Sequence, residues 1–275
     1  MCGIKPIIVV LLSVYKNDTL LQLQETMTSL FEQSCHQFDI YVMQDGPVVP
    51  DVDLYLTDLV TSRQIQYLGK RAANKGLAFT LNELLRLALA AGYEYIARMD
   101  ADDVCVVDRI EAQFGFMERH PEVDVVGGWI EEFNVDTGGI TLVKYPEHHG
   151  EVLMFFRKRC PMAHVTTFFR RTFFIKAGYY RTDTIMNEDL ALWIEGFKNG
   201  CCFHNLQTIV VRVRVNNAFY GRRSGLAKAW DDVRWKLRAK RELALGPLTD
   251  AYALGTFLIM QLPPRLKRFL YGTLR

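Results

Sequence analysis

Hydrophobic and polar positions in the first hundred residues switch repeatedly between a strand-like and a helix-like period. Ile7–Leu12 is an unbroken, β-branched apolar run, the pattern of a strand covered on both faces. Asp18 or Thr19 then caps a helix reaching about Gln33. Phe38–Met43 reads as a second strand closing on the turn Gln44-Asp45-Gly46-Pro47, and Ile65–Leu68 as a short third one. Asn74 opens a helix with Leu77, Leu81, Leu84, Leu85, Ala88 and Leu89 on its apolar side, ended by Gly92. Glu94–Met99 is a fourth strand that runs straight into Asp100-Ala101-Asp102-Asp103. Strands separated by helices predict an α/β fold with a mainly parallel sheet and helices on both faces. Ligands then bind beyond the carboxyl ends of the strands, where three polar clusters fall: Ser13–Lys16, Gln44–Gly46 and Arg98–Asp103.

The pattern changes after about residue 120. Val123–Val126 reads as a strand leading to Gly127-Gly128, and Ile130–Tyr145 as an antiparallel excursion turning at Gly138-Gly139. Glu147–Arg159 is expected to be a helix, Val165–Arg170 a strand, Glu188–Asn199 a helix and Cys202–Val215 strand material. From Ser224 the periodicity is helical and basic, with Lys228, Arg234, Lys236, Arg238, Lys240 and Arg241. These features divide the chain into a catalytic-type domain, residues 1–220, and a basic helical extension, residues 221–275. The final Arg265–Arg275 stretch mixes Leu266, Phe269, Leu270 and Tyr271 with Arg265, Lys267 and Arg268, a pattern suited to an anionic membrane surface. An ordinary packing helix with a solvated basic face fits the same residues.

Composition narrows the classes. With 49% of its 275 residues hydrophobic, the chain has enough apolar material for a large packed core. A net charge of +2 is too small to argue for a nucleic-acid partner. The six cysteines form no CxxC pair and no zinc spacing, so they read as reduced thiols of a cytoplasmic protein. Ile7–Leu12 is too short to span a bilayer, and so is Leu248–Leu262, which also holds Asp250 and Gln261.

The chemistry centres on Arg98–Asp103. Two carboxylates one residue apart at a strand end suit a hard divalent cation, Mn2+ or Mg2+, which favours oxygen ligands and leaves positions for substrate phosphates. A solvated acidic loop that caps the next helix is the plainer reading. Glu188-Asp189 at a helix start is either a complement to the helix dipole or a general base. His164 has three readings: an acceptor contact, a metal or phosphate ligand, or a core histidine. Trp129 and Trp193 offer sugar-stacking faces or core packing. Arg212 and Arg214 face either phosphates or solvent.

Taken in order, these segments resemble the inverting family-two glycosyltransferases of the GT-A fold, over roughly residues 5–215. The opening Val9–Asn17 is similar to that family's first strand and nucleotide loop. Its D-G-S appears as Asp45-Gly46-Pro47, its N-x-G as Asn74-Lys75-Gly76, and its R-x-D-x-D-D as Arg98–Asp103. Its E-D pair is Glu188-Asp189, and its acceptor-side stretch resembles Pro161–Arg170. The resemblance implies a Rossmann-like GT-A domain with an antiparallel acceptor-side region. It implies a UDP-sugar site including Ser13, Tyr15, Asp45, Asn74, Gly76, Arg98 and Asp100, with Asp45 on the uracil ring. Asp102 becomes the direct metal ligand, with Asp100 on the ribose or assisting the metal. Asp189 becomes the base, Glu188 its orienting partner, and His164 and Trp129 acceptor contacts.

The expected activity is transfer of galactose or glucose, with inversion, from a UDP-sugar to a lipid-linked saccharide such as GlcNAc-diphospho-undecaprenol. Its setting would be O-antigen or other surface-polysaccharide assembly, peripheral on the inner face of the bacterial inner membrane. A sugar-phosphate nucleotidyltransferase is one alternative, against which the absence of glycine from Ser13–Asp18 argues. A non-catalytic carbohydrate- or lipid-binding protein on the same scaffold is another, against which the retained Asp102 and Asp189 argue.

Overall fold

A computed structural model describes residues 6–216 and 226–262. Its strands are β1 (Ile8–Val14), β2 (Phe38–Gln44), β3 (Tyr67–Lys70), β4 (Tyr95–Asp100), β5 (Val104–Cys105), β6 (Val125–Asn134), β7 (Ile140–Val143), β8 (Phe168–Arg170) and β9 (Phe203–Val215). The helices are α1 (Leu20–Phe31), α2 (Pro50–Thr61), α3 (Leu77–Ala90), α4 (Arg109–Arg119), α5 (His149–Phe155), α6 (Arg171–Ala177), α7 (Glu188–Lys198), α8 (Leu226–Glu242) and α9 (Leu248–Gln261). One sheet runs in the order β3-β2-β1-β4-β8-β6-β9-β5, with β7 hairpinned onto β6. Pairing is parallel from β3 to β4 and between β6 and β9, and antiparallel on both sides of β8.

The period-two geometry of β1 explains its unbroken apolar run. Ile8, Val10, Leu12 and Val14 join a core layer with Leu23, Met27, Leu56 and Ile110 on one face. Val9 and Leu11 join Leu81, Leu84, Phe169 and Trp193 on the other. A polar residue within Ile8–Leu12 would therefore be buried whichever way it pointed; Ser13, near the strand end, is only partly covered. α1 starts where the pattern places it: Thr19 and Gln22 form a reciprocal capping box.

Several boundaries differ from the sequence reading. α2 is absent from it, although Pro50 at the first position, Asp51 and Asp53 in the first turn and buried Val52, Leu56 and Leu59 mark a helix. α3 begins later than read, because its cap is Gly76, at φ 94°, two residues beyond Asn74. Gly127-Gly128 does not end a strand; β6 continues through it to Asn134. A Cβ at Gly127 would lie 2.5 Å from Asn205 Oδ1, and one at Gly128 2.7 Å from Val210, so close packing explains both glycines. The expected strand Val165–Arg170 is only Phe168–Arg170, preceded by a single 3-10 turn at His164–Thr166. The helix expected over Glu147–Arg159 shortens to α5.

Part of the basic extension packs into the body. Trp235, Ala239 and Leu245 belong to the same core layer as Trp193 and Phe203. The 220/221 boundary and the Arg265–Arg275 stretch lie outside the described residues. Among the described residues no helix is long and apolar enough to cross a membrane.

Candidate active site

Strand register gathers the polar clusters at one edge. Ser13 on β1 stands beside Asp100 on β4, and Val14 beside Gln44 on β2. Asp45 donates its backbone N–H to the Val14 carbonyl at 2.8 Å, which ties the second cluster to the first.

Asp45 is buried and already engaged. One carboxylate oxygen accepts from Lys75 N at 2.8 Å and Arg71 Nη1 at 3.0 Å, and the other from Gly76 N at 2.8 Å. Asn74 Nδ2 donates to the Asp45 carbonyl at 3.0 Å. Asp45, Asn74 and Gly76 thus form one clamp that fixes the loop ahead of α3. Gly46 serves the same clamp: at φ 88° its absent Cβ would sit 2.7 Å from Asn74 N.

The Arg98–Asp103 segment is built with unequal roles. Arg98 is buried, pairs through Nη1 with Asp100, and leaves its Nε without a partner. Asp103 is buried and accepts from the Arg214 backbone N–H at 2.8 Å. Arg214 Nε also donates to the Asp102 carbonyl at 3.0 Å, and its guanidinium pairs with Glu25. Arg214 is therefore a strut of this loop, and Arg212 pairs with Glu131 at 2.6 Å on an exposed edge. Of the two arginines, Arg214 lies at the acidic loop, whereas Arg212 lies on the solvated edge. Asp102, half-buried, carries no ion pair among the described residues.

A fourth carboxylate joins this edge. Asp18, one of the two helix-cap candidates, turns back to accept from Tyr15 N at 2.8 Å, leaving the cap to the other, Thr19. Burial, offset in part by that hydrogen bond, and the charges of Asp102 and Asp100 push its carboxyl up to about 7. Burial and Asp100 push Asp102 up to about 6, and burial with Asp100 and Asp102 holds Asp103 well above the carboxylate range. Buried carboxyls that resist ionisation together mark a site short of positive charge. Their oxygen donors fit a hard divalent cation. Among the described residues no group of three or more His, Cys, Asp or Glu side chains is placed to enclose a metal alone. A cation at this edge would meet Asp102, which has no ion pair among the described residues, and Asp100, which pairs with Arg98, and would need further oxygen ligands from elsewhere.

The second acidic pair opens α7. Asp189 Oδ1 accepts from Leu190 N at 2.7 Å, and its Oδ2 lies 3.5 Å from Cys160 Sγ. The Glu188 carboxyl is raised by burial and by Asp189, against the pull of Arg98 and Lys228. His164 meets the Tyr180 hydroxyl at 2.9 Å, and burial with the Arg98 charge holds its imidazole well below its ordinary range, hence neutral. Arg98 acts electrostatically on Asp100 and Asp103 on one side and on His164, Tyr180 and Glu188 on the other.

The two tryptophans separate. Trp193 is wholly buried in the aromatic core, which overturns its stacking reading. Trp129 is half-exposed, but Lys144 Nζ covers one ring face at 4.7 Å and its Nε1 donates to the Tyr145 carbonyl at 3.2 Å. Neither contact joins it to the carboxylates.

Several supporting residues escaped the sequence reading. Arg109, buried in α4, donates to the carbonyls of Arg98 at 2.8 Å and Val165 at 3.0 Å, joining the two halves of the site. Asn187, just before Glu188, donates to Asp231 at 2.7 Å and Asp232 at 2.9 Å and accepts from Lys228 Nζ at 3.0 Å. The start of α7 is thus held by α8. Acid-base pairing between Lys228 and Asp232 at i,i+4 was visible in sequence; its target was not.

Comparison with known proteins agrees with this architecture. Residues 10–178 match the family model "Glycosyl transferase family 2". An uncharacterized glycosyltransferase of Haemophilus influenzae is 35% identical over 96% of this chain and 97% of its own length. The UDP-Gal:alpha-D-GlcNAc-diphosphoundecaprenol beta-1,3-galactosyltransferase of Escherichia coli is 26% identical over 82% of this chain and 80% of its own. Among solved structures, S. aureus TarS 1-349 in complex with UDP-GlcNAc superposes with a TM-score of 0.60 at 16% identity, covering 94% of this chain and 82% of that one. The mannosyltransferase PcManGT of Pyrobaculum calidifontis, in complex with GDP-Man and Mn2+, gives 0.64 at 15% identity, covering 98% and 81%. With a GT-A sheet, its polar clusters gathered at one edge and a family match across most of the chain, the protein belongs to glycosyltransferase family 2.

Proposed function

We propose that the chain transfers a hexose, galactose or glucose, from a UDP-sugar to the saccharide of a lipid-linked acceptor in surface-polysaccharide assembly, with inversion. The observation that carries this reading is the place of Arg98: its guanidinium pairs with Asp100, its backbone N–H donates to the Thr167 carbonyl at 3.0 Å, and the Thr167 hydroxyl donates to the His164 carbonyl at 2.7 Å, so one residue joins the acidic loop to the His164–Tyr180 side. A donor diphosphate and an acceptor hydroxyl would then meet on either side of one fixed cation. The lipid-linked acceptor is suggested by the Escherichia coli relative's diphosphoundecaprenol substrate.

Asp102, with Asp100, would hold Mn2+ or Mg2+, which neutralises the diphosphate and stabilises it as leaving group. The clamp of Asp45, Asn74 and Gly76 fixes the donor loop before any ligand arrives. Asp189 takes the acceptor proton as the hydroxyl attacks the anomeric carbon. Its geometry suits this: the Leu190 amide fixes one oxygen, and the Cys160 thiol is a weak partner for the other. Glu188 orients the acceptor, and neutral His164 with Tyr180 offers it hydrogen bonds. One displacement with one base converts an α-linked donor into a β-linked product.

The test is incubation of purified protein with UDP- and GDP-sugars, Mn2+ and synthetic GlcNAc-diphospho-lipid, with products identified by mass spectrometry and NMR. A β-linked disaccharide-lipid formed from UDP-galactose or UDP-glucose is expected. Transfer from GDP-sugars alone, or retention of anomeric configuration, refutes the reading.

A further inference from the structure

The outward side of α8 differs in composition from an ordinary solvated helix face. At 3.6 residues per turn, Leu226, Trp230, Arg234, Leu237 and Arg241 share one side, and all five are exposed, Trp230 by 61%. The Trp230 ring lies 5.0 Å from Phe257 of α9. Beyond Phe257, α9 turns Leu254 and Leu258 outward, 60% and 56% exposed. The two helices thus present five large apolar side chains interleaved with two guanidinium groups. Arg234 and Arg241 each touch one acidic neighbour on their own helix, Asp231 at 3.2 Å and Glu242 at 3.4 Å, yet remain largely open to solvent. Along one margin, Arg234, Arg238, Arg241 and the Arg181–Asp183 ion pair line a cavity of about 590 Å³ with Trp235. Along the other, Lys228 and Asp231 bond the backbone of Met186 and Ile185, two exposed residues just before Glu188. The face therefore continues to the edge of the candidate active site.

We propose that this α8–α9 face seats on an anionic phospholipid bilayer, its Leu and Trp side chains at the headgroup–acyl boundary and its arginines on lipid phosphates. Charge decides among occupants. Across α8 six Lys or Arg stand against three Asp or Glu, so an anionic surface is complementary. A second copy packed by a two-fold axis would set this face, with its open guanidinium groups, against itself, like charge facing like charge. Residues 263–275 of this chain carry four Lys or Arg and no Asp or Glu, the same sign again. Tryptophan is the residue that a bilayer interface favours, because its ring is apolar and its N–H is not. The inference deepens the function proposed above by placing a bilayer-anchored acceptor beside Glu188 and Asp189. The docking itself requires no transfer.

Vesicle flotation tests it with phosphatidylglycerol–phosphatidylethanolamine vesicles against pure phosphatidylcholine. The wild-type chain is expected to float with the anionic vesicles only. L254E/L258E lowers partition by roughly tenfold or more at every salt concentration. R234Q/R241Q lowers it by about thirtyfold at low salt, and the difference shrinks as salt rises. Thermal unfolding of each variant confirms that the fold is kept, and a variant that fails this check is replaced by single substitution of Leu258 to Ser or Arg241 to Gln. Wild type that stays unbound, or variants that float equally well, overturn the proposal. A concentration-dependent dimer that L254E/L258E dissolves overturns it in favour of self-association. Flotation as expected with no transfer to any lipid acceptor refutes the proposed function and leaves the docking surface standing.

Discussion

Asp18→Asn should stabilise the metal-free protein at neutral and alkaline pH. The Asp18 carboxyl is only 8% exposed, and burial together with Asp102 and Asp100 raises it from 3.8 to about 7. That displacement corresponds to about 4 kcal/mol held against the ionised form. The folded chain binds this proton more tightly than the unfolded chain does. Stability from this group is therefore complete below about pH 4, falls as pH rises toward about 7, and is flat beyond. Asparagine keeps an acceptor for the Tyr15 N–H and removes the charge. In EDTA the variant should match the wild type near pH 4 and exceed it by about 4 kcal/mol at about pH 8. For a chain of this size that is on the order of 8 °C in melting temperature. Circular-dichroism melts across that pH range measure it. Saturating Mn2+ with UDP should then raise the wild type more than the variant, because the cation supplies the positive charge that the cluster lacks. A variant no more stable at pH about 8, or one whose advantage is the same near pH 4, refutes the account of Asp18 as a carboxylate ionised under strain.

Asp102→Ala should abolish transfer while leaving the circular-dichroism spectrum unchanged, and full activity in excess EDTA with no residual bound metal would exclude a metal role. Asp189→Asn should slow transfer by about two to four orders of magnitude with donor affinity kept; near-normal turnover beside normal UDP-sugar affinity would remove Asp189 as the base. Gly46→Ala forces a Cβ to 2.7 Å from a backbone nitrogen at a positive φ, so a loss of about 2 kcal/mol or more is expected in urea unfolding. An unchanged midpoint would show that the loop yields.

The gathering of Ser13, Gln44–Gly46 and Arg98–Asp103 at one edge was readable because each cluster is a strand end, and a strand end is a local property of sequence. The register that sets Ser13 beside Asp100 came only with the fold. The choice between Asp18 and Thr19 was left open for the converse reason. Either Asp18 or Thr19 satisfies the capping pattern, and only the fold brings Asp102 near enough to decide between them. Arg71 and Arg109 were invisible because their partners come from other elements, 26 and 56 residues away for Asp45 and Val165. Trp193 was ambiguous because residue type does not distinguish a buried ring from a sugar platform; its neighbours Phe169 and Phe203 settle it. Gly127-Gly128 was read as lying past the end of a strand because glycine serves tight packing and strand ends equally, and only the approach of β9 separates the two.

The grip of α8 on Asn187 bears on how such a chain diversifies. The family model ends at residue 178, before Glu188, Asp189 and all of α8. The carboxylates at and beyond the ends of β1, β2 and β4 (Asp18, Asp45 and Asp100–Asp103) sit in the shared portion, whereas the loop that leads into the second acidic pair is held by a helix beyond it. A shift in the register or length of α8 would move Glu188 and Asp189 together relative to that first acidic edge. New acceptors could then be explored by lineages that inherit the nucleotide chemistry intact.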